Sequence, residues 1–225
     1  MQPTEDRPLP AEPLRLAPAT PQGRPVPSAW VQRWSHLVPA TARVLDVACG
    51  SGRHVRWFAE RGCSVTGIDR DAAATQALTG MADIIVADIE SGPWPCPAKE
   101  FDAVIVTNYL WRERLAAIVG SVAEGGVLIY ETFASGQETV GKPSNPAFLL
   151  RPGELLQAVQ ELRVLAFEDG FEGRAKSRAE EETRDSDTAS SESEAQSQSG
   201  RFVQRIVAVR EAPRGALPTR WVLPP

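Results

Sequence analysis

From Ala42 onward, short apolar runs alternate with stretches whose apolar residues recur at helical spacing. Residues 43–48 predict a first strand. Residues 53–61 predict a helix, with Val55, Phe58 and Ala59 on one stripe and Gly62 at its C-cap. Residues 64–69 read as a second strand, 71–79 as an alanine-rich helix, 84–87 as a third strand and 101–107 as a fourth. A helix over 112–122, a Gly125-Gly126 turn and a strand over 127–132 continue the rhythm. Strands that alternate with helices imply parallel pairing with crossover helices on both faces. Their near-continuous apolar character fits a sheet covered on both sides.

The last third departs from this pattern. A helix over 152–162 precedes two strands, 163–167 and 202–209, with no helical signal between them. Without a crossover helix, the simplest closure is an antiparallel hairpin whose connection, 172–200, is a long low-complexity insert. Loop closure entropy grows only with the logarithm of length, so such an insert is tolerated. The predicted fold is therefore α/β: a Rossmann-like, doubly wound, seven-stranded sheet, mostly parallel, ending in an antiparallel hairpin of its sixth and seventh strands.

Composition changes the picture at the ends. Eight of the 19 prolines fall in residues 1–27, which read as a disordered arm. Order is expected to begin near Ser28, a plausible N-cap for a short helix through Trp30, Trp34 and Leu37. The single domain spans 28–210, with the insert expected to be disordered and 211–225 forming a tail. The net charge is −5, and residues 172–200 carry eight acids against four bases, which leaves a nearly neutral body. Such a body has no field to gather nucleic acid, so that partner is expected to be improbable. Cys49, Cys63 and Cys96 lack metal-ligand spacing, and His36 and His54 are the only imidazoles, so no metal site is expected. No apolar run approaches a membrane span of about 20 residues, and no secretion signal stands out. A cytoplasmic location is expected.

Candidate chemistry concentrates in Val44-Leu-Asp-Val-Ala-Cys-Gly-Ser-Gly52. A strand running into Gly-x-Gly and then a helix brings backbone close to a ligand. A dinucleotide fingerprint needs a third glycine where Val55 stands, which disfavours a nicotinamide reductase. Asp46, just before the turn, repels a pyrophosphate and favours a cofactor carrying an ammonium. Asp69 follows at the end of the second strand, suited to accept from both ribose hydroxyls. Asp88 and Ile89 follow the third strand. Three acids at the carboxyl ends of consecutive strands mark the edge where open α/β sheets bind ligands.

On these motifs the sequence resembles the class I S-adenosylmethionine-dependent methyltransferases, from about residue 28 to 209. Gly-Ser-Gly-Arg-His54 and Val-Thr-Gly-Ile-Asp-Arg70 are most similar to the small bacterial branch related to tellurite-resistance methyltransferases. The resemblance implies S-adenosylmethionine as cofactor and a sheet ending in an antiparallel hairpin. It places Asp46 and Gly50, Ser51 and Gly52 along the methionine part, Asp69 at the ribose, and Asp88 with Ile89 at the adenine. Ala48, Cys49, Arg53 and Arg70 complete the expected contacts, and Asn108 and Tyr109 lie beside the transferable methyl. Thr107-Asn-Tyr-Leu-Trp-Arg112 lacks the paired prolines of the amino-directed nucleic-acid and protein methyltransferases.

Methyl transfer needs alignment and exclusion of water more than a catalytic triad. Glu131 and Tyr109 are the catalytic candidates: Glu131 either receives a proton or only hydrogen-bonds a neighbouring loop. Trp111, Arg112, Thr132, Phe133 and Asn145 are expected to face the acceptor. His54 either touches ligand or lies at the surface. The loop over 131–146, with Lys142 and Asn145, reads either as a lid or as a connector. A small-molecule acceptor is expected. An RNA or protein methyltransferase, and a non-catalytic module binding S-adenosylmethionine, stay open as alternatives.

Overall fold

The computed structural model describes residues 25–96, 100–173, 200–212 and 220–224. Seven strands form one sheet: β1 (Arg43–Val47), β2 (Ser64–Asp69), β3 (Asp83–Val86), β4 (Phe101–Thr107), β5 (Val122–Phe133), β6 (Arg163–Gly173) and β7 (Gly200–Val209). Their spatial order is β3-β2-β1-β4-β5-β7-β6. Pairing is parallel from β3 through β5, and β7 runs antiparallel to both β5 and β6. The expected Rossmann-like architecture with its terminal hairpin is the one observed.

Helices α1 (Ala29–Trp34), α2 (Arg53–Ala59), α3 (Ala72–Thr75), α4 (Leu115–Gly120) and α5 (Glu154–Ala158) flank the sheet. Successive strand residues point to opposite faces, so each central strand feeds two cores. Leu45, Val47, Val104, Val106, Leu128 and Tyr130 join one apolar cluster with Ile118 and Leu155. Val44, Ala103, Ile105, Val127 and Ile129 join the other with Trp30, Trp34, Val55 and Phe58. Covering both faces explains why these strands read as unbroken apolar runs.

Several boundaries differ from expectation. The helix expected over 71–79 is one turn of α-helix followed by a 3-10 turn, Gln76–Leu78. The helix expected over 112–122 opens with the 3-10 turn Arg112–Arg114 and stops at Gly120. The Gly125-Gly126 turn lies inside β5, as an irregularity between the pairings Phe101↔Val122 and Ala103↔Val127. The sixth strand extends to Gly173 and the seventh starts at Gly200, so Glu172 and Gly173 belong to the hairpin and not to the insert. The insert residues 174–199 and the arm residues 1–24 lie outside the described residues. No helix among the described residues is long and apolar enough to cross a membrane.

The chain runs from β1 outward to β3, then returns across β1 to β4 and onward. Strand order therefore reverses between β1 and β4, and a crevice opens at their carboxyl ends.

Candidate active site

A cavity of about 200 Å3 occupies that crevice. It is walled by Ala48 to Ser51 and Arg53 with His54 after β1, by Asp69 and Arg70 after β2, by Ala87 to Glu90 after β3, and by Thr107 to Tyr109 after β4.

The loop after β1 is built from left-handed backbone. Ala48, Gly50 and Gly52 have φ of 54°, 54° and 78°. At Gly52 a Cβ would also lie 2.4 Å from Leu78 Cδ2, so no larger residue fits without displacing the α3 side. At Gly50 a Cβ would meet nothing within 4 Å, because that face opens to the cavity. The Asp69 carboxylate holds this loop: Gly50 N–H donates to Oδ2 at 2.7 Å and Asp71 N–H to Oδ1 at 2.9 Å. An ionised carboxylate has about four acceptor sites, so each oxygen keeps capacity for a ligand hydroxyl.

Past β3, Asp88 closes its own turn, accepting from Glu90 N–H, Ser91 N–H and the Ser91 hydroxyl. The Ser91 hydroxyl is the main reason its carboxyl lies below the usual range. Arg114 clamps the same turn by donating to the Ile89 and Gly92 carbonyls. Past β4, Asn108 adopts φ of 55°, a conformation asparagine tolerates better than most residues. Its N–H donates to the Glu131 carbonyl, and the Tyr130 hydroxyl donates to the Tyr109 carbonyl. Both sides of the cavity are thus preset by the protein.

Three buried polar atoms on or beside this cavity have no hydrogen-bond partner among the described residues: Asp46 Oδ2, Asn108 Oδ1 and Tyr109 OH. An unsatisfied buried polar group costs roughly 1–3 kcal/mol, so their clustering marks a place built for a ligand. Asp46 is 1% exposed, and burial pushes its carboxyl up to about 7 despite the opposing pull of Arg53. His54, part of the wall, has its Nδ1 3.9 Å from Asp46 Oδ1. Burial, helped by Arg53, holds the His54 imidazole well below its usual range, so it is neutral. Arg53 donates to Thr107 Oγ1 at 3.1 Å, and burial lowers its guanidinium from the ordinary value. Burial also raises the Cys49 thiol and the Tyr109 phenol, which keeps both protonated.

Of the expected cofactor residues, Ala48, Cys49, Gly50, Ser51, Arg53, Asp69, Arg70, Asp88, Ile89, Asn108 and Tyr109 line the cavity. Gly52 is the N-cap of α2 and Asp46 neighbours Arg53 and His54, but neither lines the cavity. Thr107, Glu90 and Ile68 line it without having been expected.

The expected acceptor residues fare differently. Glu131 is not a free base: it is 1% exposed, its Oε1 accepts from the Ser28 hydroxyl, and its Oε2 faces Arg201 and Arg205. Arg112 is fully engaged with Glu154 and the carbonyls of Ala147 and Leu149. Asn145 caps the 3-10 turn Pro146–Phe148 through Ala147 N–H. Thr132 is buried within β5, and neither it, Phe133 nor Trp111 reaches the cavity wall. The segment 131–146, read either as a lid or as a connector, is tied down by the Ala134↔Leu150 bridge and by Gln137, which accepts from Phe202 N–H and donates to the Lys142 carbonyl. It is a connector.

This topology and crevice define a class I methyltransferase fold. Residues 44–126 match the family model described as a methyltransferase domain. A tRNA U34 carboxymethyltransferase of Alcanivorax borkumensis is 28% identical over 171 residues, covering 67% of this chain and 53% of that protein. The chain thus spans about half the length of that relative. Among solved structures, TehB from Haemophilus influenzae superposes with a TM-score of 0.55 at 17% identity, over 76% of this chain and 58% of that one. A SAM-dependent methyltransferase from Archaeoglobus fulgidus gives 0.57 at 18%, over 80% and 91%. The expectation that nucleic acid is an improbable partner finds no support here, since the relative of 28% identity is named for a tRNA.

Proposed function

We propose that this chain binds S-adenosylmethionine in the β1–β4 crevice and transfers its methyl group to an acceptor. The observation that carries the reading is the set of orphaned buried atoms, Asp46 Oδ2, Asn108 Oδ1 and Tyr109 OH, beside a glycine loop pinned by Asp69. These residues fit the cofactor's chemistry. Asp46 and the Asn108 carbonyl suit an ammonium, Arg53 a carboxylate, Asp69 a pair of ribose hydroxyls, and Ile89 with Tyr109 the faces of a purine. When bound, S-adenosylmethionine supplies a methyl group activated by a sulfonium leaving group.

The protein's own contribution is to orient and to exclude water. The turn after β4, fixed by Tyr130 and by β5, sets Asn108 and Tyr109 against the cavity. The neutral His54 and the protonated Tyr109 and Cys49 add no competing charged nucleophile. Glu131 stays in its ion pairs and takes no part in proton transfer. The proposed acceptor is a small molecule. A second reading, an RNA acceptor, is favoured by the name of the A. borkumensis relative. The experiment is calorimetric titration with S-adenosylhomocysteine and, as control, NADH. Micromolar binding of the first alone is expected, and no binding at millimolar concentration contradicts the proposal. Binding of bulk tRNA at 50 and 200 mM salt then separates the two acceptor readings: salt-sensitive micromolar affinity favours RNA.

A further inference from the structure

We propose that Ser28 is a positioning residue of the cofactor site: its backbone N–H, donated to His54 Nε2, fixes the imidazole tautomer that presents Nδ1–H to Asp46. The inference rests on the reading of the cavity as an S-adenosylmethionine site.

The bond from Ser28 N–H to His54 Nε2 is 3.1 Å long and buried. A nitrogen that accepts from a backbone N–H carries its lone pair there. In a neutral imidazole the proton must then sit on Nδ1. Nδ1 is the atom that faces Asp46 Oδ1 at 3.9 Å. The opposite tautomer would turn a lone pair toward the carboxylate and favour its protonated form, which cannot pair with an ammonium.

Ser28 is held where it is by contacts that have nothing to do with His54. Its hydroxyl accepts from Trp30 N–H and Val31 N–H as the N-cap of α1, and donates to Glu131 Oε1 at 2.9 Å. Glu131 is fixed in turn by Arg201 and Arg205 of β7. Trp30 and Trp34 anchor the helix in the core. The N-terminal helix therefore reaches the cofactor cavity through one backbone N–H. The other groups facing Asp46 are the Arg53 guanidinium and the Val55 N–H on α2, and Asp69 on β2. Burial opposes the carboxylate while Arg53 supports it, and an imidazole that turns Nδ1–H toward the carboxylate adds to that support.

The two histidines, His36 and His54, make the test direct. Imidazole nitrogen shifts in protein labelled with 15N-histidine report the tautomer without any ligand. S-adenosylhomocysteine titrations from pH 5.5 to 8.5 report its consequence. Ser28 has φ of −54°, which proline adopts, so Ser28→Pro removes the N–H at little backbone cost, while Ser28→Ala removes only the hydroxyl. The wild type and Ser28→Ala are expected to show Nδ1–H. Ser28→Pro is expected to shift to Nε2–H, with binding about fivefold weaker at pH 7 and its pH midpoint about one unit higher. If Ser28→Pro does not fold, His54→Asn, which keeps a donor near the Nδ1 position, should hold the wild-type midpoint while His54→Leu raises it. A folded Ser28→Pro that keeps Nδ1–H or an unchanged midpoint overturns the proposal, as do equal midpoints in the two His54 variants. Failure of the wild type to bind the ligand overturns the reading of the cavity instead, and the tautomer of the free protein still decides the role of Ser28.

Discussion

The carboxyl edge of the sheet has two halves of opposite character. Over β1 to β4, polar side chains are left short of partners: Asp46 Oδ2, Asn108 Oδ1 and Tyr109 OH are buried and unpaired. Over β5 to β7, charges are saturated with one another. Arg205 binds Glu131, Glu168 and Glu172, and Arg201 binds Glu131 and Glu172. Burial works against the charged form of Arg205, yet its carboxylate partners outweigh it and hold the guanidinium above its usual range. The difference separates two tasks. The hairpin half closes the sheet and fixes α1 through Glu131, whereas the first half holds its polar atoms ready for a ligand. A substitution in the hairpin half should therefore move stability and leave binding nearly unchanged, whereas one in the first half should move binding.

The largest effect is expected from Asp69→Ala, which removes both the proposed ribose acceptor and the carboxylate that holds Gly50. S-adenosylhomocysteine affinity should fall about 100-fold or more, as expected when hydrogen bonds to a charged group are lost together. Next, Glu131→Leu leaves Arg201 and Arg205 facing a buried apolar side chain. Urea denaturation should show a loss of about 3 kcal/mol, the usual cost of removing one partner of a buried pair. Ligand affinity should stay within about threefold, and a selective loss of turnover would reinstate Glu131 as a base.

Asp46 sharpens the comparison through pH. Its carboxyl, raised to about 7 by burial, binds a proton in the native state over a range in which the unfolded chain does not. By linkage, the native state without ligand loses stability as pH rises from about 4 through 7. Asp46→Asn should remove that slope, giving a protein more stable than wild type at pH 8 by an amount on the order of 4 kcal/mol. Ligand binding should show the reverse sign. Wild-type affinity should strengthen up to about pH 7, with a proton released on binding, and Asp46→Asn should show neither behaviour. The smallest effect is expected from Tyr109→Phe. Removing an unsatisfied hydroxyl should stabilise the unliganded protein by about 1 kcal/mol. It should also weaken S-adenosylhomocysteine a few-fold if the hydroxyl meets the ligand.

The first half of the edge was legible because its signals are local. Asp46, the glycine loop, Asp69 and Asp88 each sit at a strand end within a short motif, and topology alone gathers strand ends. The second half was not, because its meaning lies in partners distant along the chain. Glu131 reads as a candidate base until Arg201 and Arg205 are seen on the neighbouring strand β7. Arg112 reads as a substrate contact until Glu154 takes its guanidinium. The later part of β6 does not read as strand, and its end at Glu172 reads as the start of the insert, since Glu168, Asp169 and Glu172 carry no apolar alternation. They belong to a strand because they stand opposite Arg205, Gln204 and Arg201. The same distance hid the bond between Ser28 and His54, 26 residues apart, although the capping role of Ser28 was plain.

The most direct test of the account is a structure of the protein crystallised with S-adenosylhomocysteine. The ribose is expected on Asp69, the purine between Ile89 and Tyr109, and the amino acid end against Arg53, with the Asn108 carbonyl facing the ammonium. Ligand seated elsewhere, or seated in the crevice with Asp46, Asn108 and Tyr109 still unpaired, would contradict it.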